Sequence, residues 1–195
     1  MFTSVKLFFK LVARDAKVYG RERPSTSFYI AALLGLSRFS AVFLYRVNSS
    51  LYNKGFPWSA LAKLVNRANT LWNGSEIFPE AKIGPGFHLP HPTGVVIGAI
   101  TAGCNFRVYQ NATLGVKDES FDYNDFRNYP CLGDNVIVGA NATVLGSVII
   151  GDDVVIGANA VVLTDIPAGC RAVGNPARIL PGRTMTARRT LSLQA

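Results

Sequence analysis

From residue 132 onward the chain places an aliphatic side chain at every sixth position: Leu132, Val138, Val144, Ile150, Ile156 and Val162. A glycine follows directly at Gly133, Gly139, Gly151 and Gly157. Upstream, Ile77, Ile83, Leu89 and Val95 keep the same step, and Ala102, Val108 and Leu114 resume it after a shift of frame near Ile97. A fixed six-residue period predicts a hexapeptide β-helix. Each hexad supplies one short strand and one turn. Its aliphatic residue points inward, and small residues stand where the chain turns a corner. Stacked coils bury one another's apolar faces, so only the ends need capping.

Two breaks interrupt the repeat. The step from Ile97 to Ala102 is one residue short, and GVKDESFDYNDFRNYPC, residues 115–131, separates Leu114 from Leu132. That insertion is acidic and aromatic, with Asp118, Glu119, Asp122, Asp125, Phe121, Tyr123 and Tyr129. Loops that leave a regular scaffold are common places for specificity.

Ahead of the repeat the period changes. From about residue 2 to residue 73 the apolar positions follow helical spacing. FSAVFLYRVNSSLYNKG forms one candidate helix, punctuated by Gly55 and Pro57; WSALAKLVNRANTLW forms another, ended by Asn73-Gly74. The predicted fold is mainly β with α. Residues 1–74 form a helical region, 75–180 a left-handed parallel β-helix carrying the 115–131 loop, and 181–195 a basic tail.

Charge is concentrated at the ends. Residues 1–24 carry six Lys/Arg against two Asp/Glu, and residues 171–195 carry five Arg and no acid, while the middle is close to neutral. A nucleic-acid-binding body would be basic itself. Basic ends suit contact with an anionic membrane surface or with the phosphates of a cofactor. The apolar run FYIAALLGL is too short to span a bilayer, and no signal peptide precedes a cleavage site. The three cysteines, Cys104, Cys131 and Cys170, are widely spaced, which indicates neither a zinc site nor a disulfide framework. A cytoplasmic location follows, with contact at the inner face of the membrane through the basic ends. Asn111 and Asn141 begin Asn-x-Thr triplets that, without an export signal, read as chance matches.

The candidate chemistry lies in FHLPHPTG, which holds both histidines of the chain, His88 and His91. Side chains three apart in a β-hexad point in different directions, and there is no third histidine, so a shared metal is not expected. EIFPEAKIGPGFHLPHPTGVVIG, YQNATLG, VGANATVLGSVIIGDDVVIGANAVVL and VGNPARIL, in that order, resemble the serine acetyltransferase branch of the hexapeptide acyltransferases. The resemblance implies a left-handed β-helix, a homotrimer or a dimer of trimers, and acetyl-CoA bound in the groove between neighbouring β-helices.

It also implies roles. His91 matches the general base, and Glu76, fifteen residues earlier, matches the acid that orients it, with Glu in place of the usual Asp. A neutral imidazole, which titrates near pH ~6.5 in water, suits removal of a proton from an attacking alcohol. A carboxylate on its far nitrogen would fix the tautomer and stabilise the imidazolium. Gly115, Gly139, Ala140, Gly157 and Ala158 are the implied lining of the acetyl-CoA groove, with Arg178 near its phosphates. The coil corners require small residues there in any case. His88, Pro90, Asn128 and Tyr129 are the candidate acceptor contacts; His88 either lies near the acceptor or faces solvent.

At the acceptor the sequence departs from the family. Pro90 stands where serine-specific members carry Asp, and Asn128-Tyr129 where they carry Arg-His. The charges that would grip a free amino acid are absent from those positions. A saccharide hydroxyl, of the kind used by exopolysaccharide and colanic-acid-type acetyltransferases, is therefore the favoured acceptor, with L-serine as the alternative. A non-catalytic β-helix scaffold is a further alternative, which the Glu76/His91 pair argues against.

Overall fold

A computed structural model describes residues 2–52, 54–117 and 125–182. Much of the acidic insertion (Asp118, Glu119, Phe121, Asp122 and Tyr123) and nearly all of the basic tail lie outside the described residues.

Four helices come first: α1 (Phe2–Val18), α2 (Thr26–Leu33), α3 (Ser40–Tyr52) and α4 (Trp58–Asn73). Ser25 caps α2 by accepting the Phe28 N–H, and Gly74, at φ 63°, ends α4 in the left-handed conformation that glycine adopts without strain. The strands that follow are two or three residues long: β1 (Glu76–Ile77), β2 (Lys82–Ile83), β3 (Val96–Ile97), β4 (Thr101–Ala102), β5 (Arg107–Val108), β6 (Thr113–Gly115), β7 (Cys131–Leu132), β8 (Ile137–Val138), β9 (Thr143–Leu145), β10 (Ile149–Ile150), β11 (Val155–Ile156), β12 (Val161–Val162), β13 (Arg171–Val173) and β14 (Arg178–Leu180).

They stack into three sheets: β1-β3-β6-β9-β12, β10-β7-β4-β2 and β14-β13-β11-β8-β5. All pairings are parallel except β13 with β14, which closes the last coil antiparallel. The result is a left-handed β-helix of three-sided coils. Its core is the inward residue of each strand, with Ile77, Ile97, Leu114, Val144 and Val162 stacked beneath one face.

The register corrects one expectation. Val95 is buried but is not the inward residue that opens the second coil; Ile97 is, because it pairs with Ile77. The chain takes eight residues from His88 to Val96, where the next coil goes from Arg107 to Thr113 in six. The irregularity therefore begins two residues earlier than the aliphatic spacing indicates, as a widened corner, and the short step to Ala102 follows it. His91 sits in the widened corner.

Asparagines build two of the coil edges. Asn111, Asn141 and Asn159 lie at φ 57–59° and join side chain to side chain at 3.0 and 3.1 Å. Asn105, Asn135 and Asp153 do the same on another edge, at 2.8 and 3.0 Å. Asparagine tolerates this backbone region and supplies both a donor and an acceptor. That is the structural content of the Asn-x-Thr triplets.

The helices share an apolar core with the first coil, through Val12, Ala16, Phe39, Val42 and Tyr45, and single polar contacts fix how they sit on it. Asp15, fully buried, accepts from Arg46 Nε at 2.8 Å and from the backbone N–H groups of Gly86 and Phe87 at 2.7 and 2.9 Å. Arg46 also donates to the carbonyls of Ile83 and Gly84. The Tyr45 hydroxyl donates to the Ala81 carbonyl at 2.8 Å. Tyr19 is bonded both ways to Leu89: its hydroxyl donates to the carbonyl and accepts from the N–H. These contacts hold the segment that leads into His88 and His91.

Candidate active site

The widened corner brings His91 over the start of the first strand. The Gly94 N–H donates to the Gly74 carbonyl at 2.7 Å and the Glu76 N–H to the Val95 carbonyl at 2.8 Å, so residues 94–95 run directly above 74–76. Glu76 and His91 thus belong to adjacent rungs, and both are exposed. The hydrogen bond expected between their side chains is not made in the single chain. Catalytic hydrogen bonds commonly tighten only once substrate is bound.

Below His91, on the same edge, lie Gly139-Ala140 and Gly157-Ala158, placed in register by the pairing of β8 with β11. Coils repeat about every 4.8 Å. Tyr109-Gln110 occupies the intervening coil, so these small residues span two coils and lie about 10–15 Å from the corner that holds His91. Gly139 also has a reason that owes nothing to a ligand: a Cβ there would meet the Ala158 nitrogen at 2.6 Å. At Gly157 it would meet Val173 Cγ1 at 3.0 Å. Arg178 is exposed at the far end, paired across the β13–β14 closure with Val173.

The other candidates lie elsewhere. Gly115 ends β6 at the opposite border of that face, where the 115–131 loop leaves, and a Cβ there would meet nothing. Asn128 closes a short 3-10 turn, Phe126–Asn128, and Tyr129 is 5% exposed, its ring lying on Gly98 so closely that a Cβ would fall 2.5 Å from it. Burial fits Tyr129 as the anchor of the loop. Arg127, unremarked in the sequence, neighbours these positions, but Asp125 holds it at 2.8–3.2 Å through Nε and Nη2. The same contacts hold the Asp125 carboxyl below its ordinary range. Pro90 is half-buried in the corner beside His91.

His88 does not face solvent freely. Its ring lies edge-on to Tyr19 at 4.7 Å, and its Nδ1 is buried without a hydrogen-bond partner. Burial, followed by the nearby Arg107 charge, lowers its pKa from 6.5 to about 4. It is neutral at physiological pH and belongs to the contact between α1 and the first coil. Among the described residues no group of three or more His, Cys, Asp and Glu side chains could hold a metal ion.

The stacked hexads and the corner histidine define a hexapeptide-repeat transferase, and the family model described as "Bacterial transferase hexapeptide (six repeats)" matches residues 132–164. Over 173 residues the chain is 36% identical to the serine acetyltransferase of Synechococcus elongatus, covering 88% of this chain and 68% of the relative. Over 189 residues it is 32% identical to that of Bacillus subtilis, covering 96% and 84%. Its fold superposes on the crystal structure of Neisseria gonorrhoeae serine acetyltransferase with a TM-score of 0.77 at 32% identity, covering 92% of this chain and 69% of the other. The chain belongs to the serine acetyltransferase family and is an acyltransferase.

Proposed function

We propose that the chain moves an acetyl group from acetyl-CoA to an alcohol, with His91 as general base and Glu76 as its orienting acid. The observation that carries this is the coil edge on which His91 stands above Gly139-Ala140 and Gly157-Ala158. A pantetheine arm laid along those small residues and on past Tyr109-Gln110 would deliver its thioester to the imidazole, and a similar serine acetyltransferase structure is a complex with CoA. His91 takes the proton of the acceptor hydroxyl as its oxygen attacks the thioester carbonyl. Backbone N–H groups of the groove stabilise the oxyanion. The tetrahedral intermediate then expels the CoA thiolate, which receives the proton from the imidazolium. The sequence around His91, LPHPTG, places no Ser or Cys in a nucleophile motif, so transfer is direct. The groove is shared with a neighbouring copy, as a homotrimer.

L-Serine is the acceptor that the relatives support, one of which is solved with serine. A saccharide hydroxyl is the second reading, favoured by Pro90 beside His91 and by the engagement of Arg127 with Asp125. Release of free CoA with L-serine and with a panel of sugars separates the two. Robust O-acetylserine formation removes the sugar reading, and turnover with a sugar alone removes serine.

A further inference from the structure

A cavity of about 520 Å³ lies in the helical front, between the end of α1, α2 and the start of α3. Its walls include Tyr19, Arg21, Ser25, Ser27, Phe28 and Arg38, and no acidic side chain lines it. Neither Arg21 nor Arg38 has an ion-pair partner among the described residues. Arg21 is steadied instead over the Phe28 ring, at 5.6 Å.

The sequence around the cavity leaves these charges uncompensated. Residues 24–75 contain no Asp or Glu, and residues 1–74 carry eleven Lys/Arg against two acids. Both acids are engaged, Asp15 by Arg46 and Glu22 by Lys17. The whole front therefore attracts anions and repels a free ammonium group. The two exposed guanidinium groups present donors suited to phosphate or carboxylate oxygens, beside Ser25 and Ser27, whose hydroxyls are bonded to one another at 2.8 Å.

The cavity shares a wall with the His91 corner. Tyr19 lines it, touches His88 edge-on, and is fastened through its hydroxyl to the backbone of Leu89, two residues before His91. We infer that this cavity holds an oxyanion carried by the acceptor, a phosphate or carboxylate on a sugar ring, with Arg21 and Arg38 as the residues that select it. Its volume lies within the range of small-ligand sites. Assigning the oxyanion to the acceptor rests on the saccharide reading given above; the anion affinity does not.

The test is calorimetric titration of the full chain, without acetyl-CoA, using a hexose 1-phosphate, a hexuronate, the neutral hexose and L-serine. One or both acidic sugars should bind saturably and more tightly than the neutral hexose or L-serine, and the preferred one identifies the oxyanion. The double variant Arg21→Gln/Arg38→Gln should weaken that binding at least ~10-fold, as expected on losing hydrogen bonds to a charged group. Lys54→Gln, an exposed cation of the same front outside the cavity, should leave it unchanged. Binding no tighter than the neutral hexose, an unaffected double variant, or an equal loss in Lys54→Gln overturns the inference. Acidic sugars that bind through the arginines but are never acetylated would leave the anion site standing and overturn its assignment to the acceptor. Acetylation of them that ignores the double variant would overturn the site and leave the saccharide reading standing.

Discussion

Asn111, Asn141 and Asn159 perform one task in three coils, whereas Asp15 performs its task once. The β-helix is held by repetition: each inward aliphatic residue and each corner asparagine has a copy above or below it. The helical front shares the apolar core, but its polar contacts each occur once and between unlike partners: Asp15 with Arg46, Tyr19 with Leu89, Tyr45 with Ala81. Losses are shared in the first region and concentrated in the second. His91 lies where they meet, on a coil corner whose lead-in segment is gripped by the front.

Substitutions can break that contrast. The largest effect is expected at Asp15→Ala, which leaves the Arg46 guanidinium buried without its counter-charge and frees the Gly86 and Phe87 N–H groups. Removing one partner of a buried pair costs about 3–5 kcal/mol, and denaturant melts should show a loss of that order. Gly139→Ala comes next, since its Cβ would press on the Ala158 backbone; overpacking of this kind costs about 1–3 kcal/mol. Asn141→Ala should cost less, about 1–2 kcal/mol, through two lost ladder bonds and a side chain forced to φ 57°. Asn141→Gly, which relieves the backbone, should recover part of that loss. If Asn141→Ala were as damaging as Asp15→Ala, the contrast between shared and concentrated support would fail.

The smallest effect depends on pH. His88 has its pKa lowered to about 4 in the folded chain, against 6.5 ordinarily. The unfolded chain therefore takes up this proton first as pH falls, so the contribution is complete above about pH 6.5 and is lost on descent towards pH 4. The melting temperature should fall more steeply across that window in the natural chain than in His88→Phe. Parallel curves would show that His88 does not carry the effect.

The coils were legible because six-residue spacing is a periodic signal that survives one or two irregular corners. The end of α4 was legible too, since Asn73-Gly74 carries its own backbone chemistry. The width of the His91 corner was hidden because Val95 is buried like an inward residue while belonging to the turn. The Asp15–Arg46 pair had no signature at all: thirty-one residues separate its members, and each looks like any surface charge on an amphipathic helix. The asparagine ladders were visible as residues but not as a ladder, because their meaning lies in the coil above. At the site, the fifteen-residue interval between Glu76 and His91 does place the two on neighbouring rungs. It could not show that their side chains make no hydrogen bond in the single chain.

The central claim is that His91 removes the acceptor's proton. The direct measurement is kcat/KM for acetyl transfer by His91→Ala, with the acceptor that supports turnover and a thermal melt alongside. A loss of about 10²–10⁴-fold, typical of a missing general base, with an unchanged melt as expected for an exposed corner, is the predicted result. Retention of full acetyl transfer by the folded variant would contradict it.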